Sequence, residues 1–151
     1  MELREYIHNY LKSRKQVVLG TSDDSHPWIC TVWYVIDKDF NVYFYSALST
    51  IHVQQSLKNN KVAFTVADSP QDQHGDKEAV QAWGTIERVT DVDKVQWFIN
   101  EWTDTPEKYN AEETANGDKM GVFKITPKQL KFVNKELVGE NLGYKFTLEF
   151  N

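Results

Sequence analysis

Cysteine and arginine are scarce: the 151-residue chain has one cysteine, Cys30, and three arginines, Arg4, Arg14 and Arg88. A single thiol excludes an internal disulfide framework and a cysteine-built zinc site. It suits a reducing compartment, so the sequence predicts a cytoplasmic protein. No apolar run approaches the roughly 20 residues of a membrane-spanning helix. The start, Met1-Glu2-Leu3-Arg4-Glu5, lacks the basic-then-apolar order of a secretory signal. Lysine and arginine number 17 against 22 acidic residues, a formal net charge of −5. A general binder of duplex DNA or of anionic membrane needs a basic face, and this balance argues against both. The four histidines, His8, His26, His52 and His74, fall on separate elements without the i, i+3 or i, i+4 spacing of a helical metal site. Nucleophile-elbow, dinucleotide-fingerprint and P-loop signatures are missing, as are internal repeats and low-complexity tracts.

What the chain does have is aromatic side chains, 13% of the residues, beside 40% hydrophobic and 26% charged residues. The balance is globular, and the length predicts one domain over 1–151. Leu3, Tyr6, Ile7, Tyr10 and Leu11 make an apolar stripe at helical spacing, predicting a helix over 2–14. The period then becomes that of strands: 16–21, 28–36, 40–46, 61–67, 78–90, 122–125 and 144–150. Gly84 inside the fifth run predicts a bulge or a close approach of backbones. Helices are predicted over 51–58, capped by Thr50, and over 91–102, with Thr90 and Asp93 as a capping box. A short helix starts at Pro106. Residues 68–77 and 112–118 read as polar loops, and Pro127 as an interruption before an edge strand over 129–133. Short turns between strands favour an antiparallel barrel with inserted helices over a βαβ sheet.

Three segments could carry chemistry. Tyr45 to His52 is a strand end, a hydroxyl-rich turn with Ser46 and Thr50, and a helix start. Its plain reading is an ordinary turn and cap, and its functional one a phosphate held through hydroxyls and unpartnered amides. Cys30, Thr31, Val32, Trp33 and Val35 lie on a strand that is either plain core or a backbone edge for a flat heterocycle. Gln81, polar between apolar neighbours, faces either water or a ligand. Glu101 and Asp104, with Glu107, Glu112 and Glu113, read as a solvated face.

The ordered stretches VVLGTSDDSHPWICTVWYVID, NVYFYSALSTIHVQQSLKNNKVAFTVAD and AVQAWGTIERV, with a weaker match over 121–146, resemble the pyridoxamine 5′-phosphate oxidase-like FMN-binding split barrels. The resemblance implies a mainly β fold, a six-stranded antiparallel split barrel. It implies a homodimer with FMN at the subunit seam and a small-molecule substrate. Cys30, Thr31, Val32, Trp33 and Val35 would line the ring and ribityl chain, and Tyr45, Ser46, Thr50, Ile51 and His52 the phosphate side. Gln81 would approach the ring from the other subunit, and Val133 and Lys145 would complete the partner's site. The oxidase itself carries arginine at the position of Cys30, lysine at Val35 and Arg-Lys at Ile51-His52. Each lost charge-assisted bond removes roughly 1.5–3 kcal/mol. The resemblance therefore leaves two readings, an FMN-dependent oxidoreductase or a non-catalytic module holding haem or another planar cofactor. Pyridoxamine phosphate oxidation itself is not expected, because the oxidase's substrate-phosphate residues are not recognisable here.

Overall fold

A computed structural model describes residues 2–68, 71, 77–138 and 145–151. The elements in chain order are α1 (Leu3–Ser13), β1 (Gln16–Ser22), β2 (Pro27–Ile36), β3 (Val42–Ala47), α2 (Ile51–Lys58), β4 (Lys61–Ala67) and β5 (Glu78–Arg88). Then follow α3 (Val92–Trp102), a 3₁₀ turn (Pro106–Lys108), α4 (Ala111–Asn116), β6 (Met120–Asn134), α5 (Lys135–Val138) and β7 (Lys145–Glu149). The sheet order is β3-β2-β1-β4-β5-β6, and β3 pairs with β6 to close a six-stranded antiparallel barrel, with β7 added outside on β6.

β6 organises the closure. Phe123 to Asn134 pairs with β5 on one side. On the other, Met120–Ile125 pairs with β3 and Gln129–Val133 with β7. Pro127 stands between these two partners, where a missing N–H costs no ladder bond. The register against β5 shifts between Trp83 and Gly84, which face Gln129 and Pro127, so Lys128 bulges. Its carbonyl accepts from the Phe150 amide at 2.9 Å. Gly84 is required there, since a Cβ would sit 2.1 Å from the Thr126 carbonyl oxygen. Both readings of Gly84, bulge and close approach, hold together.

Alternation along the strands fills the interior with Val17, Leu19, Phe44, Val62, Phe64, Val80, Ile125, Leu130 and Phe132. α1 lays Ile7, Tyr10 and Leu11 over one mouth of the barrel. The Tyr34 hydroxyl donates to the Leu11 carbonyl, and the Tyr6 hydroxyl to Glu78 at 2.7 Å. α2 crosses the other mouth, where Gln55 accepts from the Thr21 hydroxyl at 2.7 Å and donates to the His26 carbonyl at 2.9 Å. α3 and α4 form a second layer outside β3 and β6, burying Tyr43, Val95, Phe98, Ile99, Ala115 and Val122.

Several local expectations change. Residues 111–116 are a helix, because Asn110 caps it by accepting from the Glu113 amide at 2.9 Å. Asp91, not the Thr90–Asp93 box, caps α3 by accepting from the Asp93 and Lys94 amides. β6 is continuous through Pro127 and lies between neighbours instead of at an edge. Phe40 is no strand residue: it takes φ 69° in the turn that Asp37 holds. The loop expected over 68–77 falls largely outside the described residues, His74 included.

Candidate functional site

Antiparallel pairing alternates the side to which each residue's amide and carbonyl point. Tyr34 donates to the Lys15 carbonyl on the β1 side at 2.9 Å, and Asp37 donates to the Asn41 carbonyl on the β3 side at 3.1 Å. Odd-numbered residues of β2 therefore direct their backbone groups towards β3. That ladder stops at Tyr34 and Phe44, while β1 stays paired with β2 as far as Pro27. Ile29 and Thr31 thus present amides and carbonyls with no strand opposite. Had the ladder continued, Val32 would face Ser46. This is the backbone edge that the strand reading allowed.

The side chains of the same strand divide between two faces. Cys30 and Val32 pack inward on the core, and burial pushes the Cys30 thiol pKa up, away from reactive thiolate. Thr31 and Trp33 point outward, Trp33 being 55% exposed. Val35 packs beneath the α3–α4 layer. The backbone groups of Cys30 and Val32 point to β1, so at the free edge these two residues offer neither side chain nor backbone.

Across the gap, β3 ends and α2 begins. Thr50 caps α2, its hydroxyl accepting from the Val53 amide at 3.3 Å. The Ser46 hydroxyl lies 2.9 Å from His52 Nε2 and 3.4 Å from the Thr50 hydroxyl, which is itself 3.3 Å from the same nitrogen. The structure thus joins three of the sequence-predicted residues in one hydrogen-bonded cluster. Ser46 and His52 are buried, Thr50 is half-buried, and Ile51 is exposed at the lip. The first-turn amides of Ile51 and His52 have no partner within the helix. Burial, with the Phe44 ring 6.0 Å away, pushes the His52 pKa below its ordinary value. The imidazole is neutral at pH 7, so an anion here meets hydroxyls and amides before it meets charge.

Trp33 and Val35 also line a cleft of about 550 Å³. Its other walls are the end of α1 with Lys12, Arg14 and Lys15, and the end of α3 with Glu101, Trp102 and Asp104. Tyr45 belongs to an aromatic layer, 5.1 Å from Trp102 and 5.8 Å from Tyr109 by ring centroids. No spacing in the sequence signals Tyr109 or the five charged cleft residues, which only the topology brings together.

Gln81 is exposed on the outer face, opposite Thr65 and Lys131. The row Thr31, Val18, Thr65, Gln81 crosses four strands, so Gln81 stands roughly 14 Å from Thr31 of its own chain. Lys145 lies on β7 opposite Val133, with its side chain outside the described residues. Among the described residues, no group of three or more His, Cys, Asp or Glu could hold a metal ion, and no helix is long and apolar enough to cross a membrane.

Residues 3–134 match the sequence model of the family described as pyridoxamine 5′-phosphate oxidase. No curated protein sequence matches the chain. Solved structures share the fold at low identity. General stress protein 26 from Bacillus anthracis superimposes with a TM-score of 0.72 at 14% identity, covering 99% of this chain and 100% of that one. A NimC/NimA family protein from Clostridium acetobutylicum gives 0.68 at 13% identity, covering 97% and 91%. HutZ, the haem storage protein from Vibrio cholerae, gives 0.66 at 17% identity, covering 89% and 96%.

Proposed function

Because the chain belongs to the pyridoxamine 5′-phosphate oxidase family, we propose that it holds FMN and uses it in oxidation–reduction of a small molecule. The observation that carries this reading is the gap between β2 and β3, where a free backbone edge faces a turn of hydroxyls and helix-start amides. A flavin has this complementarity: a flat ring with donors and acceptors along its edge, and a phosphate at the end of a flexible chain. When bound, it supplies hydride or electron transfer. The backbone of Ile29 and Thr31 bonds the ring edge, and Trp33 shields it from water. Ser46, Thr50 and the Ile51 and His52 amides bind the phosphate. The cationic charge that the family's oxidase places at Cys30, Val35 and Ile51 is missing here. A phosphate beside His52 favours the imidazolium form, so binding draws a proton onto this residue.

The working unit in this reading is a pair of chains in the cytoplasm. Ile29, Trp33 and Trp83 are 68%, 55% and 42% exposed on one outer sheet face, with Gly20 and Ala63 forming a shallow trough between Ile29 and Trp83. A second copy on this face buries the large side chains and carries its own Gln81 towards the ring. The lost cations favour one other reading, a non-catalytic holder of haem or another planar cofactor.

The test is the FMN dissociation constant from pH 8 to pH 5.5, for the wild type and His52→Gln, followed by flavin fluorescence. Affinity rises as pH falls for the wild type and changes less for the variant. A protein that retains no FMN at any pH overturns the flavin reading. Retention of haem in its place establishes the alternative.

A further inference from the structure

The 550 Å³ cleft beside β2 has walls of opposite charge. Lys12 and Lys15 stand at the end of α1, and Glu101 and Asp104 at the end of α3. Arg14 is already committed: it bonds both Asp68 oxygens, at 3.1 and 2.5 Å, and covers the Tyr10 ring at 4.0 Å. The other four side chains make no ion pair among the described residues. Trp33, Val35 and Trp102 add apolar surface to the same cleft.

An anion entering this cleft meets two lysines and also the two carboxylates opposite, and a bare cation meets the reverse. Each singly charged visitor therefore gains from one wall and loses to the other. A molecule bearing both charges gains from both. We infer that the cleft binds a small zwitterion with a flat apolar body, its anionic group at Lys12 and Lys15, its ammonium at Glu101 and Asp104, and its body against Trp33 and Trp102. An (aminoalkyl)aryl carboxylate or an aromatic amino acid has this chemistry. Identifying the ligand as the substrate rests on the flavin reading, since Trp33 serves both. Binding itself does not depend on it.

The experiment is calorimetric titration of the whole protein with three matched probes: 4-(aminomethyl)benzoate, benzoate and benzylamine. Each is titrated into the protein alone and again in the presence of FMN. The zwitterion is expected to bind about tenfold tighter than either singly charged probe, the size of one or two exposed ion pairs. Lys15→Gln and Asp104→Asn, both at exposed positions, are each expected to weaken it roughly fivefold. Equal affinity for the three probes, no binding of any, or indifference to both substitutions overturns the proposal. Selective zwitterion binding by a protein that ignores FMN keeps the cleft and removes its redox role. FMN retention without zwitterion binding removes the cleft and leaves the flavin reading standing.

Discussion

Replacing Gly84 by alanine tests the account of how β5 and β6 fit together. The added carbon would lie 2.1 Å from the Thr126 carbonyl oxygen, 2.8 Å from Pro127 Cα and 2.9 Å from the Thr126 carbonyl carbon. Ordinary contact begins near 3.4 Å, so the strands must separate by more than an ångström. The obstacles are backbone atoms held by the ladder, with no rotamer to give way. Overpacking a core costs about 1–3 kcal/mol, and a rigid backbone clash belongs at the upper end. At roughly 3 kcal/mol, a domain of this size loses about 6–12 °C in melting temperature. Gly20→Ala is the matched control. Its new carbon meets nothing closer than the Ala63 oxygen at 3.6 Å, so the reduced freedom of the unfolded chain leaves stability unchanged or raises it by up to about 1 kcal/mol. Melts followed by circular dichroism, with urea titrations beside them, measure both. A Gly84→Ala protein melting within about 2 °C of the wild type, against the predicted loss, refutes the reasoning. So does an equal loss in the Gly20 variant.

His52 makes stability depend on pH. Its folded pKa lies below the ordinary value of about 6.5, so the unfolded chain takes up the proton first. Its contribution is full above the unfolded pKa and is lost as pH falls through the folded one. Urea titrations at pH 7.5 and 5 should show a larger loss for the wild type than for His52→Gln, and equal losses would remove this residue as the cause. Arg88 donates from Nη2 to the carbonyls of Thr114, Gly117 and Met120, at 3.1, 2.7 and 3.2 Å, tying the end of α4 to the barrel. Arg88→Ala should cost about 2–3 kcal/mol and speed hydrogen exchange in α4, with Arg88→Lys recovering part. An unchanged melt would show that α4 is held by its apolar face alone.

The strands were legible because alternation is a local pattern: Val42 and Phe44, or Val62, Phe64 and Val66, declare their faces within a few residues. Gly84 was legible because a glycine in a strand needs a reason. The continuity of β6 through Pro127 is not legible, because a proline does not show whether its missing N–H faces a neighbouring strand or a gap between two. α4 is not legible either, because one Asn110 cap outweighs a loose composition. At the site, Ser46, Thr50 and His52 were found because a turn is short. The outward and inward faces of β2 follow from periodicity, and the loss of its partner below Tyr34 does not. The cleft charges were invisible for the same reason: Lys15 and Asp104 are neighbours only in three dimensions.

The shared strand β6 also bears on the order in which the chain folds. Val42 and Ile125 pair across more than half the sequence, whereas β1–β2 and β4–β5 join through connections within one short stretch each. Closing so long a loop has an entropic cost before any contact repays it, which slows such topologies. The local hairpins can form early, and β6, which completes β5, β3 and β7 together, must come late. Until it arrives, β3 and β5 each carry an open edge, and a freshly made chain is most exposed to mispairing with its neighbours.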